Sequence, residues 1–387
     1  MLIDITRPAL RRAAGRLPTG IDRVCLAYVE HRAAQAQAVL VRGRRSLVLR
    51  PADSRSAFAW LLSTSGGSRL PPWGALATWL TRARPGPARG NQVLLNPGHR
   101  GLEDDDYALG LRRRGVRPVF MIHDLIPITH PEYCRHGEDM RHVRRMRNAL
   151  TVAGGLIVNS RETLASLQAH ALAHRLAMPP TVVAPLASGL AGAASTSPRP
   201  LAAPYFVVLG TIEPRKNHLL LLHVWRRLVE RLGAAAPHLV VIGRRGWECR
   251  ETFSLLDRCV LLRSHVHERG DCTDAELGGW MRHAQALLFP SFCEGYGMPA
   301  VEALTSGTPV IASDLRVFRE SVGDIPDYLS PIDGGAWLDL VVDYAQPASA
   351  RRGAQCARLR GFEAPGWTAH HHAVDALLER LPAAGCI

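Results

Sequence analysis

One stretch, Phe289 to Asp314 (FPSFCEGYGMPAVEALTSGTPVIASD), does most to limit what this chain can fold into. Ala286-Leu287-Leu288-Phe289 is an apolar strand end that runs through Pro290-Ser291 into a loop bearing Glu294-Gly295-Tyr296-Gly297. Pro299 suits the first turn of a helix, where its missing N–H costs nothing. Gly307 ends that helix, and Pro309-Val310-Ile311-Ala312 reads as the next buried strand. A strand, a glycine-bearing turn and a helix N-terminus together cradle an anion. Glycines let backbone N–H groups close on a phosphate, and the helix dipole favours the negative charge.

Glu294 and Glu302, with seven residues between them, would repel a phosphate rather than bind it. They suit neutral hydroxyl donors, such as those of a sugar and a ribose, and a nucleotide-sugar combines all three parts. Glu294-x7-Glu302 within PSFCEGYGMPAVEALTSGTPVIASD resembles the donor-site signature of the family 4 retaining glycosyltransferases of group 1. The resemblance implies an α/β chain of the GT-B fold, with two Rossmann-like domains facing across a cleft. It covers residues 204–345 strongly and the chain before 115 loosely.

At 387 residues the chain is long enough for two domains, each with its own core. Ala187 to Pro204 (ASGLAGAASTSPRPLAAP) has no periodicity and is the expected connection. The division expected is an N-terminal domain over 1–190, a linker over 191–204, a nucleotide-sugar domain over 205–365, and a final helix over 366–387 that crosses back to the first domain. An apolar content of 47% with 21% charged residues reads as globular and soluble. The opening residues MLIDITRPALRRAAGR lack a signal peptide's apolar core, and no apolar run is long enough to span a bilayer. The eight cysteines are scattered, which reads as reduced thiols in a cytoplasmic protein.

Residues 1–199 carry 28 of the 47 basic side chains but 13 of the 34 acidic ones, whereas the remainder is close to balanced. A one-sided basic domain points to an anionic surface or a lipid-linked diphosphate. Nucleic acid is excluded as a partner because no recognition motif or interleaved aromatics accompany the charge. The arginines around Arg141, Arg144, Arg145 and Arg147 are the expected patch for the inner face of a cytoplasmic membrane.

Leu2-Ile3-Asp4-Ile5 reads as a first strand, followed by a loop and a helix from Ile21 to His31. Further strands are expected at Ala38–Val41, Ser46–Leu49 and Val93–Asn96, with a helix from Tyr107 to Arg114. Glu103-Asp104-Asp105-Asp106 contains an Asp-x-Asp that could hold a divalent metal. Acids in a first helical turn more simply complement the dipole, so no metal or other cofactor is expected. A β-rich run from Arg117 ends in His123-Asp124 and a proline-broken loop, where open α/β sheets place ligands.

HDLIPITHPEY resembles mannosyl- and rhamnosyl-type members of the same family, which puts His123 beside the sugar, Asp124 toward the acceptor, and GDP-mannose as the preferred donor. By the same resemblance, Gly20 belongs to a glycine turn over the donor diphosphate, Ser160 opens a helix near the donor, and the backbone at Val266 meets the base. GTIEPRKN matches the family closely. It places Arg215 and Lys216 between a strand and a helix, where a guanidinium fork and an ammonium can neutralise a diphosphate without a metal. Catalytic work thus falls to His123, Arg215, Lys216 and Glu294, and donor binding to Gly20, Ser160, Val266, Gly295, Tyr296, Gly297 and Glu302. Rival classes are a glycoside hydrolase, which uses paired carboxylates but needs no basic pair, a nucleotide-sugar epimerase of the same architecture, and a non-catalytic sugar-binding module.

Overall fold

The computed structural model describes residues 1–63, 71, 73–86, 91–189 and 198–381. Two units emerge, each built on its own sheet. The first comprises Met1–Ile128, Gly137–Leu186 and the chain from Gly366 onward; the second comprises Thr129–His136 and Ala187–Pro365. Half of the linker expected over 191–204, residues 191–197, lies outside the described residues.

In the first unit the order is β1 (Leu2–Asp4), α1 (Thr6–Ala13), α2 (Gly20–Arg32), β2 (Gln37–Arg42), β3 (Arg45–Val48), α3 (Pro51–Leu62), α4 (Trp73–Arg82), β4 (Arg84–Pro85), β5 (Val93–Asn96) and α5 (Asp105–Arg113). It continues through β6 (Arg117–Ile122), α6 (Ile126–Thr129), α7 (Glu138–Val152), β7 (Gly155–Val158), α8 (Arg161–Ala173) and β8 (Thr181–Val183). The sheet runs β4-β3-β2-β1-β5-β6-β7-β8. Its pairs are parallel except β2 with β3 and β3 with β4. Helices cover a parallel sheet on both faces, so its strands are apolar throughout rather than alternating. Pro118 to Ile122 of β6 is buried without a break.

The second unit runs β9 (Tyr205–Leu209), α9 (His218–Leu232), β10 (His238–Ile242), α10 (Arg250–Arg258), β11 (Val266–Arg269), α11 (Asp274–His283) and β12 (Leu287–Phe289). Then come α12 (Met298–Thr305), β13 (Val310–Ser313), α13 (Arg316–Val322), β14 (Asp327–Leu329), α14 (Gly334–Ala345) and α15 (Ala350–Leu359). Its sheet is parallel in every pair, in the order β11-β10-β9-β12-β13-β14. Trp225 and Trp337 fill the core without leaving a buried donor unmet: their indole N–H groups donate to Pro237 O at 2.8 Å and Ser330 O at 2.9 Å.

The last helix, α16 (Trp367–Glu379), belongs to the first unit. His370 joins it to Tyr28 Oη at 2.8 Å and approaches Ala184 O and Pro185 O at 3.1 and 3.0 Å. Leu377 and Leu381 pack so closely on Gly155 that a Cβ there would lie 2.7 Å from Leu381 Cδ2.

Six helices, α1, α3, α4, α6, α10 and α13, are not among those expected from the sequence. Val260–Leu262 forms a 3-10 turn, and the neighbouring strand is β11. No described helix is long and apolar enough to cross a membrane.

Gly297 is the N-cap of α12 at φ +92°, and a Cβ there would sit 2.6 Å from Phe318 Cε1. Gly297→Ala should therefore lose about 1–3 kcal/mol through backbone strain and the clash. Urea unfolding measures this, and a midpoint equal to wild type would refute the steric account.

Candidate active site

The carboxyl ends of β9 and β12 are adjacent, since the two strands pair at Leu287↔Val207. Chain order reverses between them, with β10 and β11 on one side and β13 and β14 on the other. Open α/β sheets hold ligands at such a switch point. The loop after β9 makes a 3-10 turn, Pro214–Lys216, then the left-handed Asn217 (φ +55°), before α9 begins. The loop after β12 carries Ser291 to Gly297. The two are stitched together: Phe292 N donates to Arg215 O at 2.8 Å, and Asn217 Nδ2 donates to Pro290 O at 3.1 Å and Pro331 O at 2.8 Å.

This stitching brings together side chains that are 78 positions apart in sequence. Arg215 reaches Glu294 at 2.7 Å and Glu213 at 2.6 Å, and Lys216 Nζ reaches Glu294 at 2.5 Å. Ser291 Oγ donates to the same carboxylate at 2.8 Å. Glu294 and Lys216 side chains are 7% and 8% exposed, so water screens little of this attraction. Burial alone would raise the Glu294 carboxyl, but Arg215 and Lys216 outweigh it and hold the group down at about 2. Burial pushes the Glu213 carboxyl up and the Lys216 ammonium down, each opposed by its partners. Two cations and two carboxylates thus balance each other. The basic pair expected to stand open for a diphosphate is, in this structure, engaged with glutamates.

Gly295 and Tyr296 lie in the loop before α12, with Tyr296 buried, and Gly297 caps the helix. Glu302 sits inside α12 and is 2% exposed. Tyr133 stacks on Phe292, ring centroids 5.0 Å apart and nearly coplanar, beside the Glu294 loop. Ser291, Glu213 and Tyr133 were not singled out from the sequence, although all three lie inside motifs that were.

Val266 departs from expectation. It opens β11 and pairs with Leu239, whereas Arg269 at the strand's other end pairs with Ile242. Val266 therefore lies at the amino end of its strand, on the order of 10 Å from the carboxyl end where parallel sheets place ligands.

In the first unit, Gly20 opens α2 at the junction expected of it, with Thr19 as the cap. Ser160 caps α8: its Oγ accepts from Thr163 N at 3.0 Å and donates to Thr163 Oγ1 at 2.9 Å. His123, buried after β6, donates from Nε2 to Pro97 O at 2.7 Å, which leaves the Nδ1 lone pair in the neutral ring. Burial holds it neutral, below the ordinary histidine value. Asp124 Oδ1 accepts from Ile126 N at 3.1 Å, and its backbone oxygen accepts from His142 Nε2 at 3.0 Å.

The acids of the Asp-x-Asp stretch each have a protein partner. Asp104 caps α5, Asp105 pairs with Arg147, and Asp106 pairs with Arg44. Among the described residues, no group of His, Cys, Asp or Glu is placed to hold a metal ion. The expected membrane patch is largely compensated as well: Arg141 and Arg145 share Glu138, and Arg147 holds Asp105.

A carboxyl held low by folding stabilises the protein above its unfolded value, near 4.5, and that stability drains as pH falls toward about 2. Glu213, pushed up by burial, changes in the opposite sense. Glu294→Gln should remove the acid-side loss and cost roughly 3–5 kcal/mol at neutral pH by leaving cations unpaired. Urea unfolding from pH 7 to 3 tests this, and an unchanged pH slope would refute the clamp.

Residues 195–325 match the family described as "Glycosyl transferases group 1". The serotype-specific mannosyltransferase WbdA of Escherichia coli is 25% identical over 294 residues, covering 70% of this chain and 34% of that protein. The chain therefore spans about a third of WbdA. O-antigen chain mannosyltransferase B of Escherichia coli is 32% identical over 158 residues, covering 41% of this chain and 40% of that protein. The Anabaena HepE structure, solved with UDP and glucose, superposes with a TM-score of 0.67 at 15% identity, covering 98% of this chain and 99% of HepE. The chain has the GT-B fold, and over residues 195–325 it is similar to the glycosyl transferases group 1 family.

Proposed function

We propose that this chain is a retaining glycosyltransferase of family 4 that moves a hexose, mannose foremost, from a nucleotide-diphosphate sugar to a lipid-linked or polysaccharide acceptor, in the synthesis of cell-surface polysaccharide or lipopolysaccharide. The observation that carries this reading is Glu294, clamped between Arg215 and Lys216 at the β9/β12 switch point. The mannosyltransferase relatives support the sugar, and GDP-mannose is the donor proposed.

On this reading a donor diphosphate takes over the cations now paired with glutamates. As the bond from the anomeric carbon to the diphosphate oxygen breaks, Arg215, Lys216 and the backbone N–H groups at Gly295 to Gly297 stabilise the leaving charge. The acceptor hydroxyl oxygen bonds to the anomeric carbon on the same face, and its proton passes to a donor phosphate oxygen. Glu294, fixed as an ionised acceptor, orients sugar hydroxyls, and Glu302 holds the ribose. His123 serves the sugar, and Asp124 the acceptor. Because Arg215 and Lys216 supply the positive charge, the reaction needs no divalent metal.

Lys216→Ala should slow turnover a hundredfold to a thousandfold, about 2.7–4 kcal/mol of barrier, as for loss of one charge-stabilising group. The assay is sugar release or transfer with GDP-, UDP-, dTDP- and ADP-sugars, paired with thermal-shift screening, with and without EDTA. Stabilisation by no nucleotide-sugar, or turnover lost to EDTA and restored by Mg²⁺, would overturn the corresponding part of the reading.

The protein is further proposed to work at the inner face of the cytoplasmic membrane, through the excess of arginine in residues 1–199. Binding to anionic vesicles should weaken as salt rises. Partition that ignores salt would remove this proposal.

A further inference from the structure

The first unit has a switch point of its own. β1 pairs in parallel with β2 on one side and β5 on the other, so chain order reverses beside the carboxyl end of β1. By the rule that applies to the second sheet, this is where a ligand belongs. A cavity of about 270 Å³ lies there. α1, which follows β1, contributes Arg7 and Arg11; the loop after β5 contributes Gly98 and Arg100. Arg16 and, from α7, Arg145 complete a basic lining, against which only Asp22 and Glu103 are acidic.

The site is built rather than a loose surface cluster. Asp22, 2% exposed at its side chain, grips Arg7 and Arg11 at 2.9 Å each and sets the two guanidinium groups one helical turn apart. Asp22 is itself fixed by a capping box with Thr19, whose N–H donates to Asp22 Oδ2 at 2.8 Å. Arg145 is anchored by Glu138 at 2.6 Å and Glu103 at 3.5 Å. Gly98 admits the loop to α1, since a Cβ there would lie 3.2 Å from Arg7 Cβ. Arg16 and Arg100 are exposed, and their side chains make no hydrogen bond or ion pair among the described residues. Five guanidinium groups against three carboxylates, Asp22, Glu103 and Glu138, leave positive charge unspent, and guanidinium forks suit phosphate oxygens in pairs. The volume is just below the roughly 300–1,000 Å³ of pockets that enclose whole drug-sized ligands, so it suits one compact anionic group.

We propose that this arginine-lined cavity binds the phosphate or diphosphate group of the second substrate, the acceptor. The assignment of that group to an acceptor rests on the transferase reading above; the anion site itself does not. Arg16 and Arg100 are the free forks that close on the anion, and Asp22 is the positioning residue for Arg7 and Arg11.

Calorimetric titration of the full chain with inorganic pyrophosphate, in the presence of saturating GDP, tests this. Wild type should bind, and more weakly as salt rises. Arg16→Ala/Arg100→Ala should bind at least tenfold more weakly, with GDP affinity and unfolding temperature unchanged, while Arg16→Lys/Arg100→Lys keeps most of the binding. Pyrophosphate affinity equal in wild type and the alanine variant overturns the site, as does a matching loss of GDP affinity, which would make the arginines donor ligands. Geranyl diphosphate separates the sources: tighter binding than pyrophosphate upholds a lipid-borne group, and equal binding upholds a soluble one. Failure of GDP to bind at all, with pyrophosphate binding intact, would sink the transferase reading and leave the anion site standing.

Discussion

The ion cluster of Arg215, Lys216, Glu213 and Glu294 is the interaction that holds together the loops at the second unit's β9/β12 switch point. Taking four charged groups out of water is expensive, and their mutual attraction offsets that only when each charge finds an opposite one at contact distance. Here each does, and Ser291 Oγ occupies a further lone pair of the shared carboxylate. The result is a pair of loops held in register by electrostatics and by backbone bonds such as Phe292 N to Arg215 O. A site organised this way is rigid before any ligand arrives, which is what stabilising a charge that develops during reaction requires.

Both sheets obey the same geometric logic. Each is mostly parallel, each is covered by helices, and each reverses its chain order once. At the β9/β12 reversal the charges cancel; at the β1/β5 reversal they do not. A neutral but highly polar end suits exchange of one anion for another. An end with surplus guanidinium suits capture of an anion that brings its own charge.

Much of the second unit was readable from residues alone. Phe289 to Asp314 signals strand, loop, helix and strand because β-rich apolar runs flank glycine and proline at informative spacings, and β12, α12 and β13 occupy those places. The contact of Glu294 with Arg215 and Lys216 followed from neighbouring motifs, but their mutual neutralisation did not, since ion pairing depends on side-chain reach across two loops. The same blindness affected α7. Arginines at 141, 145 and 147 look like an open patch in a list of letters, while Glu138 and Asp105 answer them in space. Gly20 stands at the helix-opening junction expected of it, whereas the neighbouring Thr19-x-x-Asp22, a capping box, is a signal the sequence reading passed over. Val266 was assigned to the base by resemblance alone, and the four-residue strand it opens puts it at the amino end of the sheet.

The return of α16 to the first unit sets an order of events during synthesis. Residues of β7 and β8 leave the ribosome well before the helix that covers them, with the whole stretch from Ala187 to Pro365 in between. Until Trp367–Glu379 emerges, Tyr28 lacks its histidine partner and Gly155 lacks the leucines that lie against it. The second unit can therefore close around its own sheet first, and the N-terminal unit, although made earlier, is the one that finishes last.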